Sequence, residues 1–148
     1  MGPGVLHLLV LHFPIALIMA ALLADALWLI TRKAFFRAAG FYCIILGALS
    51  AIPTVITGDM LSDSMQFSGD RAALLETHEG LGITTMIVAL VAASWRLVGS
   101  AWLARGTKFG WWPHLYGLLI VAAGVLVTLT GHWGGMLLLG PDYLKGIF

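Results

Sequence analysis

The side chains in this sequence best suited to bind a metal are its five histidines. Four of them stand within or beside long apolar runs, and neutral imidazole is the commonest metal ligand in proteins. A polar group at membrane depth is costly, so it tends to face the interior of a helix bundle and to serve function. The four candidates are His7, His12, His78 and His132, whereas His114, close to two tryptophans, is interpreted as an interfacial residue.

The spacing of these histidines limits what they can bind together. His7 and His12 are five residues apart, which on a helix is about 7.5 Å of rise and roughly 140° of rotation. They therefore point to different faces, and one small ion cannot easily take both. A macrocycle, or two separate centres, could use them singly. His78 and His132 enter from opposite chain directions at similar depth.

A b-type haem is the cofactor that this pattern favours. Haem iron in electron carriers takes axial side chains, and the core of a four-helix bundle is a suitable host. No C-x-x-C-H motif occurs, so a haem would be held without thioether bonds. We expect one or two haems, with His12, His78 and His132 as axial ligands and His7 as a fourth if there are two.

Two other interpretations remain open. The same histidines could bind a single Cu, Zn or Fe ion, with Asp59 orienting a ligand imidazole, or the chain could be a scaffold subunit without a cofactor. Gly124 and Gly131 are seven residues apart on one face of the fourth helix. They would let a flat ligand, or simply another helix, approach closely.

Composition identifies the elements that must position these residues. Of the 148 residues, 60% are hydrophobic and 10% are charged, whereas an average soluble domain is about 25% charged. Four apolar runs reach the roughly 20 residues that cross a bilayer, and because lipid cannot satisfy backbone groups, they must be helical. We predict one all-α domain over 1–148, an integral membrane four-helix up-down bundle with spans at about 5–31, 36–58, 77–99 and 112–134.

The charges predict the orientation of this bundle. Six of the eight basic residues fall on the side opposite the termini: Arg32, Lys33, Arg37, Arg96, Arg105 and Lys108. Six of the seven acidic residues fall on the other side: Asp59, Asp63, Asp70, Glu76, Glu79 and Asp142. The positive-inside rule then predicts a multi-pass protein of the bacterial inner membrane with both termini in the periplasm. The seventh acid, Asp25, lies within a span and is expected to pair with Arg96 or another basic residue.

Two short segments are expected to lie outside the spans. The stretch that begins at Asp70 is expected to form a short helix over the mouth of the bundle. The stretch from Met136 to Leu139 is expected to lie at the membrane interface after Gly135 ends the fourth helix.

Three pieces of the sequence resemble a bacterial family of four-span membrane proteins, domain of unknown function 2231. They are His7-x4-His12-Phe13-Pro14-Ile15-Ala16-Leu17, His78-x3-Gly82 and Thr130-Gly131-His132-x-Gly134-Gly135. The order and spacing match over nearly the whole chain, although the family often has proline after the first histidine, where this chain has Leu8. Family members resemble partners of redox modules and are sometimes fused to cytochrome c or Rieske-like domains. The resemblance therefore implies electron transfer and a likeness to membrane b-type cytochromes.

Several functions are unsupported by the sequence. It contains no nucleophile–base constellation, no phosphate loop and no basic patch with interleaved aromatic residues, so hydrolase, kinase and nucleic-acid roles have no support. We expect an electron-transfer subunit rather than a stand-alone enzyme. Its expected partners are membrane lipid and a periplasmic electron carrier or a larger redox complex, and a homo-oligomer is left open.

Overall fold

The chain folds into four long helices. The computed structural model describes residues 2–65, 67–105 and 110–140, and within these ranges it contains no strand. The helices are α1 (Pro3–Thr31), α2 (Ala34–Ser62), α3 (Asp70–Ala104) and α4 (Trp112–Leu139). Each is long and apolar enough to cross a membrane. The fold is therefore the all-α four-helix bundle that the composition predicts.

Local chemistry sets where the helices begin and end. α1 begins at Pro3, where the missing N–H costs nothing because the first turn has no intrahelical partner for it. It ends before Arg32, which has a left-handed backbone (φ 56°) and whose N–H donates to the carbonyl of Trp28. α4 ends at Gly140, where φ is 96°, a value that glycine adopts without steric cost.

The helices pack in chain order around a ring. α1 packs most extensively against α2, and α3 against α4, so the bundle consists of two hairpins joined along α2 and α3. α4 closes the ring against α1 over a smaller contact. The up-down order makes α1 and α3 parallel, and it places them on a diagonal of the bundle.

The interior of the bundle is built mainly from alanine. Among the residues whose burial the structure describes, Ile18 and Ile44 are the only large side chains that are fully buried. Small residues allow helix backbones to approach closely. Large apolar side chains instead cover the outside, with Ile30 79% and Leu118 69% exposed. This distribution is the one expected of a protein whose outer surface contacts lipid.

The ends of α3 and α4 differ most from the sequence prediction. The segment at Asp70 is the first turn of α3 and not a separate short helix, because good helix formers follow it and no proline interrupts them. α4 continues through Gly134 and Gly135 to Leu139 and does not stop at Gly135. Both predictions were wrong at these helix ends.

A buried ion pair joins all four helices at the end that holds the basic residues, which we call the basic end. Arg96 of α3 donates to both carboxylate oxygens of Asp25 on α1, at 2.6 and 2.5 Å. Tyr116 of α4 donates to Asp25 at 2.7 Å, and Arg96 also donates to the Arg37 carbonyl of α2 at 2.9 Å. A Cβ at Gly40 would lie 2.5 Å from the carboxylate, so only glycine leaves room here. The predicted pairing of Asp25 with Arg96 is confirmed.

Candidate functional site

The first imidazole of the site belongs to His7, near the opposite end of the bundle, which we call the histidine end. Its Nδ1 lies 3.2 Å from Oγ1 of Thr57 on α2. The Thr57 hydroxyl itself donates to the Pro53 carbonyl at 2.8 Å, so its oxygen accepts from the His7 N–H. The ring lies against the backbone of α2, where a Cβ at Gly58 would be 3.1 Å from Cε1 of His7.

The second imidazole belongs to His78 on α3 and is also oriented by a hydrogen bond to a neighbouring helix. Its Nδ1 donates to the Thr130 carbonyl of α4 at 3.0 Å. The Thr130 side chain is in turn 3.0 Å from the hydroxyl of Thr85. A Cβ at Gly134 would lie 2.9 Å from Cε1 of His78. Each imidazole therefore rests on a glycine and is oriented by an oxygen of the neighbouring helix.

His7 and His78 stand near the histidine end on α1 and α3, the two helices of the diagonal. They are 71 positions apart in the chain, and so are Asp25 and Arg96, which are in contact. Within each helix the histidine is 18 residues from the charged residue, which is five full turns and about 27 Å. Each histidine therefore lies on the same face of its helix as the charged residue of the ion pair.

The oriented rings leave one nitrogen each for a ligand. Because Nδ1 of both histidines carries the hydrogen that an oxygen accepts, Nε2 keeps its lone pair. In the part of the chain that the structure describes, neither Nε2 has a hydrogen-bond partner. Metal-ligating histidines commonly hold their second ring nitrogen in this way. Each of the two histidines can therefore offer its Nε2 to a ligand.

The other two predicted ligands lie on the outside of the bundle. His12 is exposed, and its Nδ1 contacts the Leu8 carbonyl of its own helix at 2.5 Å. His7 is half-buried, so the predicted separation of these two residues onto different faces is confirmed. His132 is also exposed, and its ring lies edge-on to that of Trp133 with 6.4 Å between centroids.

His12 and His132 lie at nearly the same height on neighbouring helices. A Cβ at Gly124 would be 2.8 Å from Leu22, so these residues are opposite each other in α4 and α1. His12 is ten residues from Leu22, and His132 is eight residues from Gly124, both towards the histidine end. Their heights therefore differ by about 3 Å. The four predicted ligands form an inner pair and an outer pair.

No single cluster of ligands brings the predicted residues together. Among residues 2–65, 67–105 and 110–140, no three His, Cys, Asp or Glu side chains are grouped so that they could hold a metal ion. Asp59 is exposed in the last turn of α2, and no described contact joins its carboxylate to an imidazole. The roles predicted for the four histidines and Asp59 in binding a ligand remain predictions.

The two glycines predicted at the cofactor differ in their surroundings. Gly124 packs against Leu22, so it serves the contact between α4 and α1. Gly131 has open space where a Cβ would project, with nothing within 4 Å. Its prediction as a ligand-facing residue stands untested.

Four residues that hold the inner pair were not predicted from the sequence: Thr57, Gly58, Thr130 and Gly134. The dipeptide Thr-Gly occurs near the histidine end of α2 and again in α4, but it is only a partial signal. Thr57 binds His7 through its hydroxyl, whereas Thr130 binds His78 through its carbonyl. The glycine that contacts His78 is Gly134 and not the Gly131 of the second dipeptide.

Four membrane-spanning helices with a pair of oriented imidazoles at one end define an all-α membrane protein with a candidate ligand site. Residues 4–140 match the profile of a family described as predicted membrane protein (DUF2231). The chain belongs to this family, which confirms the resemblance seen in its histidine motifs. Comparison with curated proteins and with solved structures found no match.

Proposed function

We propose that this membrane protein binds b-type haem through His7 and His78 and carries electrons near one face of the membrane. It would work as a subunit of, or a partner to, a larger redox complex. The observation that carries the proposal is the pair of imidazoles near the histidine end of α1 and α3, each oriented through Nδ1 by an oxygen of another helix.

The number of protein ligands favours haem over a bare ion. The porphyrin supplies four of the iron ligands, so the protein needs to supply only two at most. A structural zinc site needs four protein ligands, and a catalytic one needs three. Among the described residues, His7 and His78 belong to no group of three or more His, Cys, Asp or Glu side chains that could hold a metal ion. This donor set fits haem, whose iron takes up and releases one electron at a time.

The residues around the pair have definite tasks in this proposal. Thr57 and Thr130 accept hydrogen bonds from the two rings, which fixes their orientation and raises the basicity of Nε2. Gly58 and Gly134 let the helix backbones lie against the imidazoles. The bundle interior below the pair is packed mainly with alanine.

We place the histidine end at the periplasmic face of a bacterial inner membrane, next to a periplasmic electron carrier. Basic residues at the basic end support this orientation: Arg32, Lys33, Arg37, Arg96 and Arg105. Acidic residues at the histidine end support it too: Asp59, Asp63, Asp70, Glu76 and Glu79. Lys108 and Asp142, which the sequence adds to these two sets, lie outside the described residues.

An optical spectrum of the protein purified from haem-replete cells tests the proposal. We expect Soret and α bands that His7→Ala and His78→Ala each remove or weaken by at least half, whereas His114→Ala, near the basic end, leaves them unchanged. His78→Met separates loss of the ligand from loss of the fold, because methionine can still bind the iron but shifts its potential.

Other outcomes would decide between the remaining functions. A colourless, iron-free protein would remove the haem proposal. Stoichiometric Cu, Zn or Fe without a Soret band would establish the alternative ion site. Histidine substitutions that change only the yield of a larger complex would identify a scaffold subunit.

A further inference from the structure

The outside of the bundle carries a groove that the proposed haem site does not involve. An open groove of about 310 Å³ runs along the outside of the bundle between α1 and α4. It lies where these two helices make the smaller contact that closes the ring. The groove is lined by Met19, Leu22, Val121, Gly124, Val125, Thr128 and Leu129.

The groove leads to the outer pair of histidines. On α1, His12 is seven residues from Met19 and so lies on the same face. On α4, His132 is four residues from Thr128 and seven from Val125, and it continues the stripe that lines the groove. The two exposed imidazoles therefore lie beyond the histidine end of this apolar groove, whose open side faces lipid.

These imidazoles lie deeper in the bundle than Asp59 and Asp63 at the end of α2, which we call the charged rim. Gly58 contacts His7, and the equivalent contact of Gly47 with Ile18 gives α1 and α2 the same register. In that register Asp59 stands at the height of Leu6, so His12 is about 9 Å deeper than the Asp59 backbone. Phospholipid headgroups are charged and are expected near the rim, whereas His12 lies on the side of Asp59 that is towards the middle of the bundle.

A ligand for this place must combine three properties. It needs an uncharged polar head that can enter the acyl region, because a charge there is costly. It needs a hydroxyl or carbonyl for the imidazoles, and Nε2 of His12 can accept because Nδ1 is engaged with the Leu8 carbonyl. It also needs a long apolar tail, since the groove extends about 12 Å along α4, from Val121 to Leu129.

We propose that the groove between α1 and α4 binds a membrane quinone, whose head contacts His12 and His132 and whose tail follows the groove. Gly131, beside His132, has open space where a side chain would otherwise project, which leaves room for a flat ring. The site adds a second ligand to the proposed function and does not depend on haem. It also assigns the outer pair to a quinone instead of a second haem.

Quinone binding to the full chain in phosphatidylcholine nanodiscs tests this site. Decylubiquinone and a naphthoquinone with the same decyl chain are titrated separately, with empty discs as the reference for simple partition into lipid. We expect one saturable equivalent per chain for at least one of them. His12→Leu and His132→Leu should each raise Kd about tenfold through loss of a hydrogen bond.

Two tryptophan substitutions locate the binding. Val125 is 54% exposed and lines the groove, whereas Leu118 is 69% exposed on α4 and is not among the residues that line it. Val125→Trp should abolish saturable binding, and Leu118→Trp should leave Kd within about twofold. Equal loss in both variants, or uptake no different from empty discs for both quinones, would overturn the proposal.

The haem absorbance of the same samples separates the two proposals. Loss of part of the Soret band in His12→Leu or His132→Leu would assign the outer pair to a second haem and overturn the quinone site. A colourless protein that still binds one quinone would end the haem proposal and leave the quinone site intact.

Discussion

The Asp25 carboxylate and the Arg96 guanidinium meet at 2.5 Å across the diagonal of the bundle. His7 lies five turns from Asp25 on α1, and His78 lies five turns from Arg96 on α3. Because both helices are continuous, the ion pair restricts how α1 and α3 are placed along the bundle axis. It therefore also restricts where His7 and His78 stand, about 27 Å away along each helix.

Removing one partner of this ion pair should destabilise the bundle strongly. Both side chains are only 12% exposed, so Arg96→Leu leaves a buried carboxylate without its partner, at a cost of about 3–5 kcal/mol. Unfolding in a denaturing detergent, followed by circular dichroism, measures this loss. The double variant Asp25→Leu/Arg96→Leu should recover most of it, and Lys33→Leu, at an exposed position, should change stability by no more than about 0.5 kcal/mol. A single variant as stable as the double variant would contradict the account.

Adding one methyl group beside His78 should disturb the candidate site. A Cβ at Gly134 would lie 2.9 Å from the imidazole, so Gly134→Ala must displace the ring or the helix, at a cost of about 1–3 kcal/mol. If the haem proposal holds, the Soret band falls as well. Gly117→Ala is the matched control, because nothing lies within 4 Å of a Cβ there and alanine favours the helix by about 1 kcal/mol.

The Thr57 hydroxyl should stabilise the position of His7 through its hydrogen bond and not only through packing. Thr57→Val keeps the shape but removes the oxygen that accepts from the imidazole, and we expect a loss of about 1 kcal/mol. In a haem-loaded protein, a redox titration should also show a shifted potential. Thr57→Ser should behave like the wild type. Thr77→Val is the control, since its hydroxyl bonds only within its own helix. Equal behaviour of the valine and serine variants at position 57 would refute the role.

The contact between α1 and α4 should depend jointly on Gly124 and Leu22. A Cβ at Gly124 would meet the end of the Leu22 side chain at 2.8 Å. That side chain can shift, so Gly124→Ala should cost only about 1 kcal/mol. A double-mutant cycle with Leu22→Ala should give a coupling energy of at least about 0.5 kcal/mol. Gly131→Ala, with open space around it, should not couple to Leu22→Ala.

Labelling in intact cells checks the orientation. In a Cys43→Ala background, Ser64→Cys places a thiol at the histidine end and Lys33→Cys places one at the basic end. A membrane-impermeant maleimide should label the first and spare the second, because basic residues favour the cytoplasmic side. Labelling of Lys33→Cys alone would invert the topology and move the candidate site to the cytoplasmic face.

Much of this structure follows from local properties of the sequence. The length and continuity of the apolar runs predict four helices, because a backbone in lipid must satisfy its own hydrogen bonds. The five-residue separation of His7 and His12 predicts different faces, since the helix turns by about 100° per residue. The helix ends at Asp70 and Leu139 were harder to predict, because a glycine or a charged residue can stand within a helix that packing supports.

The sequence by itself determined the class of protein, the number of spans and the set of histidines near one end of the bundle. It could not determine which histidines are partly buried in the bundle and which are exposed on its outside. The spacing of 18 residues from His7 to Asp25 and from His78 to Arg96 is visible in the sequence. This spacing becomes informative only once α1 and α3 are known to lie on a diagonal. The register between two helices is set by contacts between residues that are far apart in the chain. Tertiary structure therefore decided the division into an inner pair, His7 with His78, and an outer pair on the groove.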